Sequence, residues 1–183
     1  MKIALNIILT MLLGWNVFIQ TGERFKTDKG EININASTPL EDINALNSTV
    51  NAILDPATGN FAVVMLVKEF EFDRKLMQEH FNENYMESER YPKATFSGSI
   101  QEFEISNLKS SPSKFRINGK ISIHGVTRSL NADIQISKTK EGITLSSNFL
   151  IRPEDHGIEV PKIVFQKIAQ EVEISVKFDL LPP

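Results

Sequence analysis

From about residue 30 onward, apolar and polar residues alternate with a period of two. In FRINGKISIHG, Phe115, Ile117, Ile121 and Ile123 alternate with Arg116, Asn118, Lys120, Ser122 and His124, the mark of a strand with one face in water and one in a core. The pattern recurs three times towards the C-terminus. Leu130, Ala132, Ile134 and Ile136 form one apolar face, Ile143, Leu145, Phe149 and Ile151 the next, and Val172, Ile174, Val176, Phe178 and Leu180 the last. Earlier strands are predicted over GEININ, near Val50 to Leu54, over NFAVVMLVKEFEF and over TFSGSIQEFEI. In the third of these, Phe61, Val63, Met65 and Val67 share a face before the phase shifts to Phe70 and Phe72. That shift predicts a bulge near Lys68-Glu69, the device that bends a strand at a barrel corner.

Turn signals separate the strands: Asp55-Pro56 to Gly59, Ser110 to Ser113, and Lys140-Glu141-Gly142 as a tight hairpin. Two segments break the period. TPLEDI carries Thr38, Pro39 and Glu41 in a capping-box arrangement, which predicts a short helical turn. FDRKLMQEHFNENY places Leu76, Met77, His80 and Phe81 on one helical face, with Asp73 as the expected cap.

About eight antiparallel strands with a single apolar face and no long helix admit a sandwich or a closed barrel. A barrel of that size can enclose one small ligand or fill itself with side chains. Both interiors need the same residues, so alternation alone leaves the two open.

Composition narrows the partners. The 183-residue chain carries 20 Lys+Arg against 23 Asp+Glu, and its basic residues are scattered singly; nothing resembles a stripe that could follow a phosphate backbone, so no nucleic-acid partner is expected. The nine glycines are dispersed and form no phosphate-binding loop. There is no cysteine, which removes disulfides, thiolate chemistry and the lipid-modified cysteine of a lipoprotein.

Residues 1–22 read differently from the rest. Lys2 precedes an uncharged, largely apolar run from Ile3 to Gly22, the pattern of a secretory signal peptide, with an uncleaved anchor as the alternative because the run is long enough to span a bilayer. Residues 23–183 are then a single exported domain.

His80, Glu83 and His124 are the residues on which a hydrolase or a metal-dependent enzyme could be built. No motif supports them: the chain has neither HExxH nor GxSxG, and its three histidines lie on separate elements. His124 falls on the polar face of its strand and is expected in solvent; His156 is expected in a loop. No catalytic residue, metal or cofactor is therefore expected. The aromatics say more. Twelve phenylalanines stand against two tyrosines and one tryptophan, giving an interior that suits a hydrocarbon chain, at about 0.8 kcal/mol per buried methylene.

Several motifs together resemble the YceI-like family. They are Tyr91-Pro92-Lys93-Ala94-Thr95-Phe96; the run Gly119, Ile121, Ile123, His124, Gly125, Val126, Thr127, Arg128; and Ile151, Arg152, Asp155, Gly157 and Ile158 ahead of a final strand on EVEISVKF. The chain departs from the family pattern at Leu76-Met77, Pro153, Glu154 and His156. The resemblance implies an exported bacterial protein, periplasmic or secreted, with an all-β, eight-stranded antiparallel lipocalin-like barrel and one short amphipathic helix at its mouth. It also implies a tunnel for a polyisoprenoid or other long-chain lipid, such as an isoprenoid quinone, held for transport or storage.

On side-chain type and face, the expected tunnel lining is Phe70, Phe72, Phe81, Tyr85, Met86, Phe96 and Phe149. A transient membrane contact and a homodimer are both compatible with this reading. A filled barrel that binds a protein is the remaining alternative.

Overall fold

The alternating segments become nine strands: β1 (Phe25–Asn35), β2 (Asn44–Leu54), β3 (Asn60–Leu66), β4 (Glu71–Phe72), β5 (Lys93–Ile100), β6 (Ser113–Ile123), β7 (Val126–Lys138), β8 (Ile143–Ile151) and β9 (Val172–Leu180). These come from a computed structural model, which describes residues 23–160 and 168–183. The predicted signal or anchor over 1–22 lies outside the described residues. All pairings are antiparallel, and the eight long strands follow one another around a ring that closes between β1 and β2. The two-residue β4 is an appendage on β2, pairing Phe72 with Ala45. Closure answers the sandwich-or-barrel question in favour of an eight-stranded up-and-down barrel, which leaves the long strands without a free edge.

Alternation sends one set of side chains inward. Leu54, Ile134, Ile136, Leu145, Phe178 and Leu180 are almost fully buried. They cluster towards the end where Leu54 pairs with Phe61 and Ile143 with Leu180, and there they make a solid core. At the opposite end gather the connections 36–43, 67–92 and 124–125, with the described residues 152–160 and 168–171 between β8 and β9. One end is plugged, and the other carries the long loops.

Three local expectations are corrected. TPLEDI is a tight β-turn rather than a helical one: Thr38 and Glu41 exchange backbone hydrogen bonds at 2.9 and 3.3 Å, and the Thr38 hydroxyl accepts from Leu40 N. Too few residues separate Pro39 from β2 for a helix to propagate, so strand pairing wins. The expected bulge at Lys68-Glu69 is instead one 3-10 turn over Val67–Glu69, which lifts the chain out of the wall between β3 and β4. The helix α1 (Lys75–His80) is capped at Arg74 and not at Asp73, with no side-chain bond at the cap. It continues into a wider turn over Phe81–Tyr85.

One polar core residue went unnoticed in the sequence. Asn47 is fully buried in β2, yet all its groups are satisfied: Nδ2 donates to the Leu66 carbonyl at 3.0 Å, and Oδ1 accepts from the Thr49 backbone and hydroxyl. It joins β2 to the end of β3 just where the ladder between them has stopped at Asn51–Val64.

Candidate functional site

Inside the barrel lies a cavity of about 530 Å³, within the range of pockets that bury a small ligand, roughly 300–1,000 Å³. Its wall is the inward face of the strands, including Ile32, Val63, Ile117, Ala132, Leu145 and Val176. The structure therefore shows a lined space where alternation left filled and hollow interiors open.

All seven residues expected to line a tunnel face this cavity. Phenylalanine rings of the wall pack in two groups. Towards the plugged end, Phe61 packs edge-on against Phe178 with centroids 5.6 Å apart, and Phe96 lies 6.4 Å from Phe61. Towards the loops, Phe81 is packed between Phe70 at 5.6 Å and Phe72 at 5.0 Å. The helix α1 explains the second group, because Met77, His80 and Phe81 recur on its cavity side. Leu76 also reaches the cavity but is 62% exposed, which marks the mouth.

Among the described residues the ionisable lining groups are few. Glu41, Arg74, His80 and Tyr85 contribute to the wall, all of them from the loop end. A tyrosine hydroxyl holds its proton at neutral pH and can donate, and burial moves the Tyr85 phenol further in that direction. Farther along the wall, the Ser147 hydroxyl is already committed, donating to the Asp133 carbonyl at 2.7 Å. Sequence reasoning missed Glu41, Arg74 and Ser147. Arg74 and Glu41 are 33 residues apart, and only the three-dimensional arrangement brings them together.

The residues considered for an enzyme do not meet. His80 lines the cavity mouth, Glu83 is exposed and absent from the lining, and His124 turns to other partners. No group of three metal-ligating side chains occurs among the described residues.

His124 also corrects the expectation of a solvated side chain, since only 9% of it is exposed. It forms the tight β6–β7 turn with Gly125, both with left-handed backbones (φ 51° and 74°), and this twist redirects its ring from the strand's wet face. Nδ1 lies 3.3 Å from the His156 carbonyl and Nε2 3.2 Å from Glu87 Oε1, while the Tyr91 ring packs edge-on at 4.3 Å. A neutral ring donates to one of those acceptors, the imidazolium to both. A side chain on Gly125 would strike Tyr91, its Cβ coming within 2.7 Å of the ring.

His156 is buried as well and donates from Nδ1 to the Val126 carbonyl at 3.2 Å, and Arg128 Nε donates to the Asp155 carbonyl at 2.8 Å. These contacts tie the 153–156 turn to β7 beyond the point where β7 and β8 stop pairing, at Ile134–Ser147. His124, Arg128 and His156 thus fasten the mouth and stay out of the cavity wall, whereas Ile123, Ile151 and Ile158 of the same motifs line it.

A variant separates this fastening from backbone effects. Asparagine tolerates a left-handed φ, so His124→Asn keeps the turn while removing the ring. Loss of a buried, hydrogen-bonded ring is expected to destabilise the protein by about 1–3 kcal/mol in urea denaturation. A change below about 0.5 kcal/mol, the scatter of ordinary surface substitutions, would mean that the ring fastens nothing.

Fold and cavity together define a closed antiparallel barrel with an apolar, hollow interior. The YceI-like domain matches residues 19–180, and the chain belongs to the YceI-like family.

Solved structures agree in fold. A polyisoprenoid binding domain from Saccharophagus degradans, implicated in plant cell wall breakdown, superposes with a TM-score of 0.76 at 12% identity, covering 88% of this chain and 99% of that one. Burkholderia cenocepacia BcnA gives 0.69 at 16% identity over 85% of this chain and 97% of its own. A mutant Campylobacter jejuni YCEI protein with a monobromobimane guest gives 0.55 at 18% identity, over 86% and 85% respectively. No curated protein matches the chain in sequence.

Proposed function

We propose that this protein is a binding protein and not an enzyme, and that it holds an isoprenoid or other long-chain lipid in the barrel, for transport or storage in the bacterial envelope. One observation carries the reading: the cavity is apolar along the strands and confines its charged groups to the mouth. That gradient matches an amphiphile inserted tail first, with each buried methylene contributing about 0.8 kcal/mol. The fold neighbour from Saccharophagus degradans, a polyisoprenoid binding domain, supports the same class of ligand. The exposed Leu76 at the mouth gives the rim an apolar contact for a membrane from which such a ligand would be drawn.

Organic extraction of the purified protein followed by mass spectrometry tests the proposal. A co-purified long-chain lipid at near-stoichiometric amount is expected. An empty extract, together with failure of the protein to take up an isoprenoid quinone from detergent, would defeat it.

A further inference from the structure

Among the described residues, the arginine and the glutamate of the cavity mouth are paired with each other, and this bears on which head group the mouth accepts. Arg74, at the start of α1, and Glu41, in the turn after β1, both line the cavity and form an ion pair through Nη2 and Oε1. Arg74 Nη2 also reaches the Asp42 carbonyl at 3.5 Å. Glu41 is the less exposed partner, its side chain 22% accessible against 58% for Arg74, so the carboxylate is not readily swung away into water.

An incoming carboxylate or phosphate would meet this pair as a whole. To gain Arg74 it must displace Glu41 or lie beside it, and a second anion beside a carboxylate is disfavoured, the more so where water is partly excluded. An uncharged head group meets no such opposition. A guanidinium has five N–H donors, so Arg74 can hold Glu41 and still donate to a neutral oxygen. The Tyr85 hydroxyl, protonated at neutral pH like any tyrosine, adds a second donor on the same wall.

We propose that the mouth selects long-chain lipids with an uncharged, hydrogen-bond-accepting head group, and that Glu41 is the residue that discriminates against carboxylate and phosphate. This rests on the barrel binding lipid at all.

Geranylgeraniol and geranylgeranyl monophosphate share one chain and differ only in head group, so their affinities for the delipidated full-length protein isolate the effect. The wild type is expected to bind the alcohol about tenfold more tightly, the scale of one hydrogen bond to a charged group. Glu41→Gln should raise affinity for the phosphate relative to the alcohol, closing most of the gap. Arg74→Gln should weaken the alcohol and leave the phosphate the poorer ligand, because the Glu41 carboxylate remains. Equal binding of the two probes by the wild type, a preference for the phosphate, or an unchanged ratio in Glu41→Gln would overturn the head-group inference while leaving lipid binding intact. Binding of neither probe would overturn both.

Discussion

Ala132→Trp is expected to abolish most lipid binding while leaving the barrel folded. Ala132 sits midway along β7, is 8% exposed, and points its methyl group into the cavity. In a filled core such an enlargement costs about 1–3 kcal/mol in strain. Here the indole has space to enter, and the apolar area it buries offsets the ordering of its side chain at about 25 cal/mol per Å². The delipidated variant should therefore melt at or above the delipidated wild type. Delipidation matters to the comparison, because a bound ligand stabilises the wild type by mass action.

The lipid loses what the indole takes. Excluding two methylenes forfeits about 1.6 kcal/mol, roughly tenfold or more in affinity. Thermal melts and quinone titrations of both proteins check the expectation. A variant that fails to fold would show that the interior is packed solid, and one that folds and binds like wild type would place the ligand outside the barrel.

Ala132 also illustrates what the sequence could and could not convey. Its place on an inward face follows from alternation with Asn131 and Asp133, and the same logic located β6 to β9 and the aromatic wall. Hollow and filled interiors differ in something alternation does not record, namely whether small residues on neighbouring strands fall opposite one another. Register decides that: Gly98 falls opposite Gly119, whereas Ala132 faces the larger Ile117.

His124 was misplaced for a related reason. Its polar-face assignment assumes a strand that continues straight, whereas the backbone turns left-handed at that residue and carries the ring to Glu87 and Tyr91. TPLEDI failed because a capping box is a local signal, and the nearby pairing of β1 with β2 outweighed it. The ion pair of Arg74 and Glu41 had no local signal at all. Charge pairs across a barrel mouth become readable only once the loops that hold them are placed.

Gly119→Val is the second substitution expected to have a large effect, and its cause is again register. Gly98 and Gly119 face each other across β5 and β6. A Cβ on Gly119 would come within 2.5 Å of the Ser97 carbonyl and 2.6 Å of Phe96 Cζ, and one on Gly98 would meet the Asn118 carbonyl and the same ring atom at 2.5 and 2.7 Å. The two missing side chains let the Phe96 ring lie along the wall, which keeps it out of the lumen.

Valine has the better strand propensity, worth up to about 1 kcal/mol, but the steric conflict runs to about 1–3 kcal/mol and occasionally more, so the net effect should be destabilising by about 1–2 kcal/mol. The ring should also be driven into the cavity and lower ligand uptake. Adding Phe96→Ala separates the two conflicts, because it removes the ring contact and leaves the backbone one. If the ring contact matters, the double variant will be less destabilised than the sum of the singles, and the coupling measured by denaturation is the ring's share. Strict additivity would assign the whole penalty to the approach of the two strands, and a neutral Gly119→Val would show that neither contact constrains the wall.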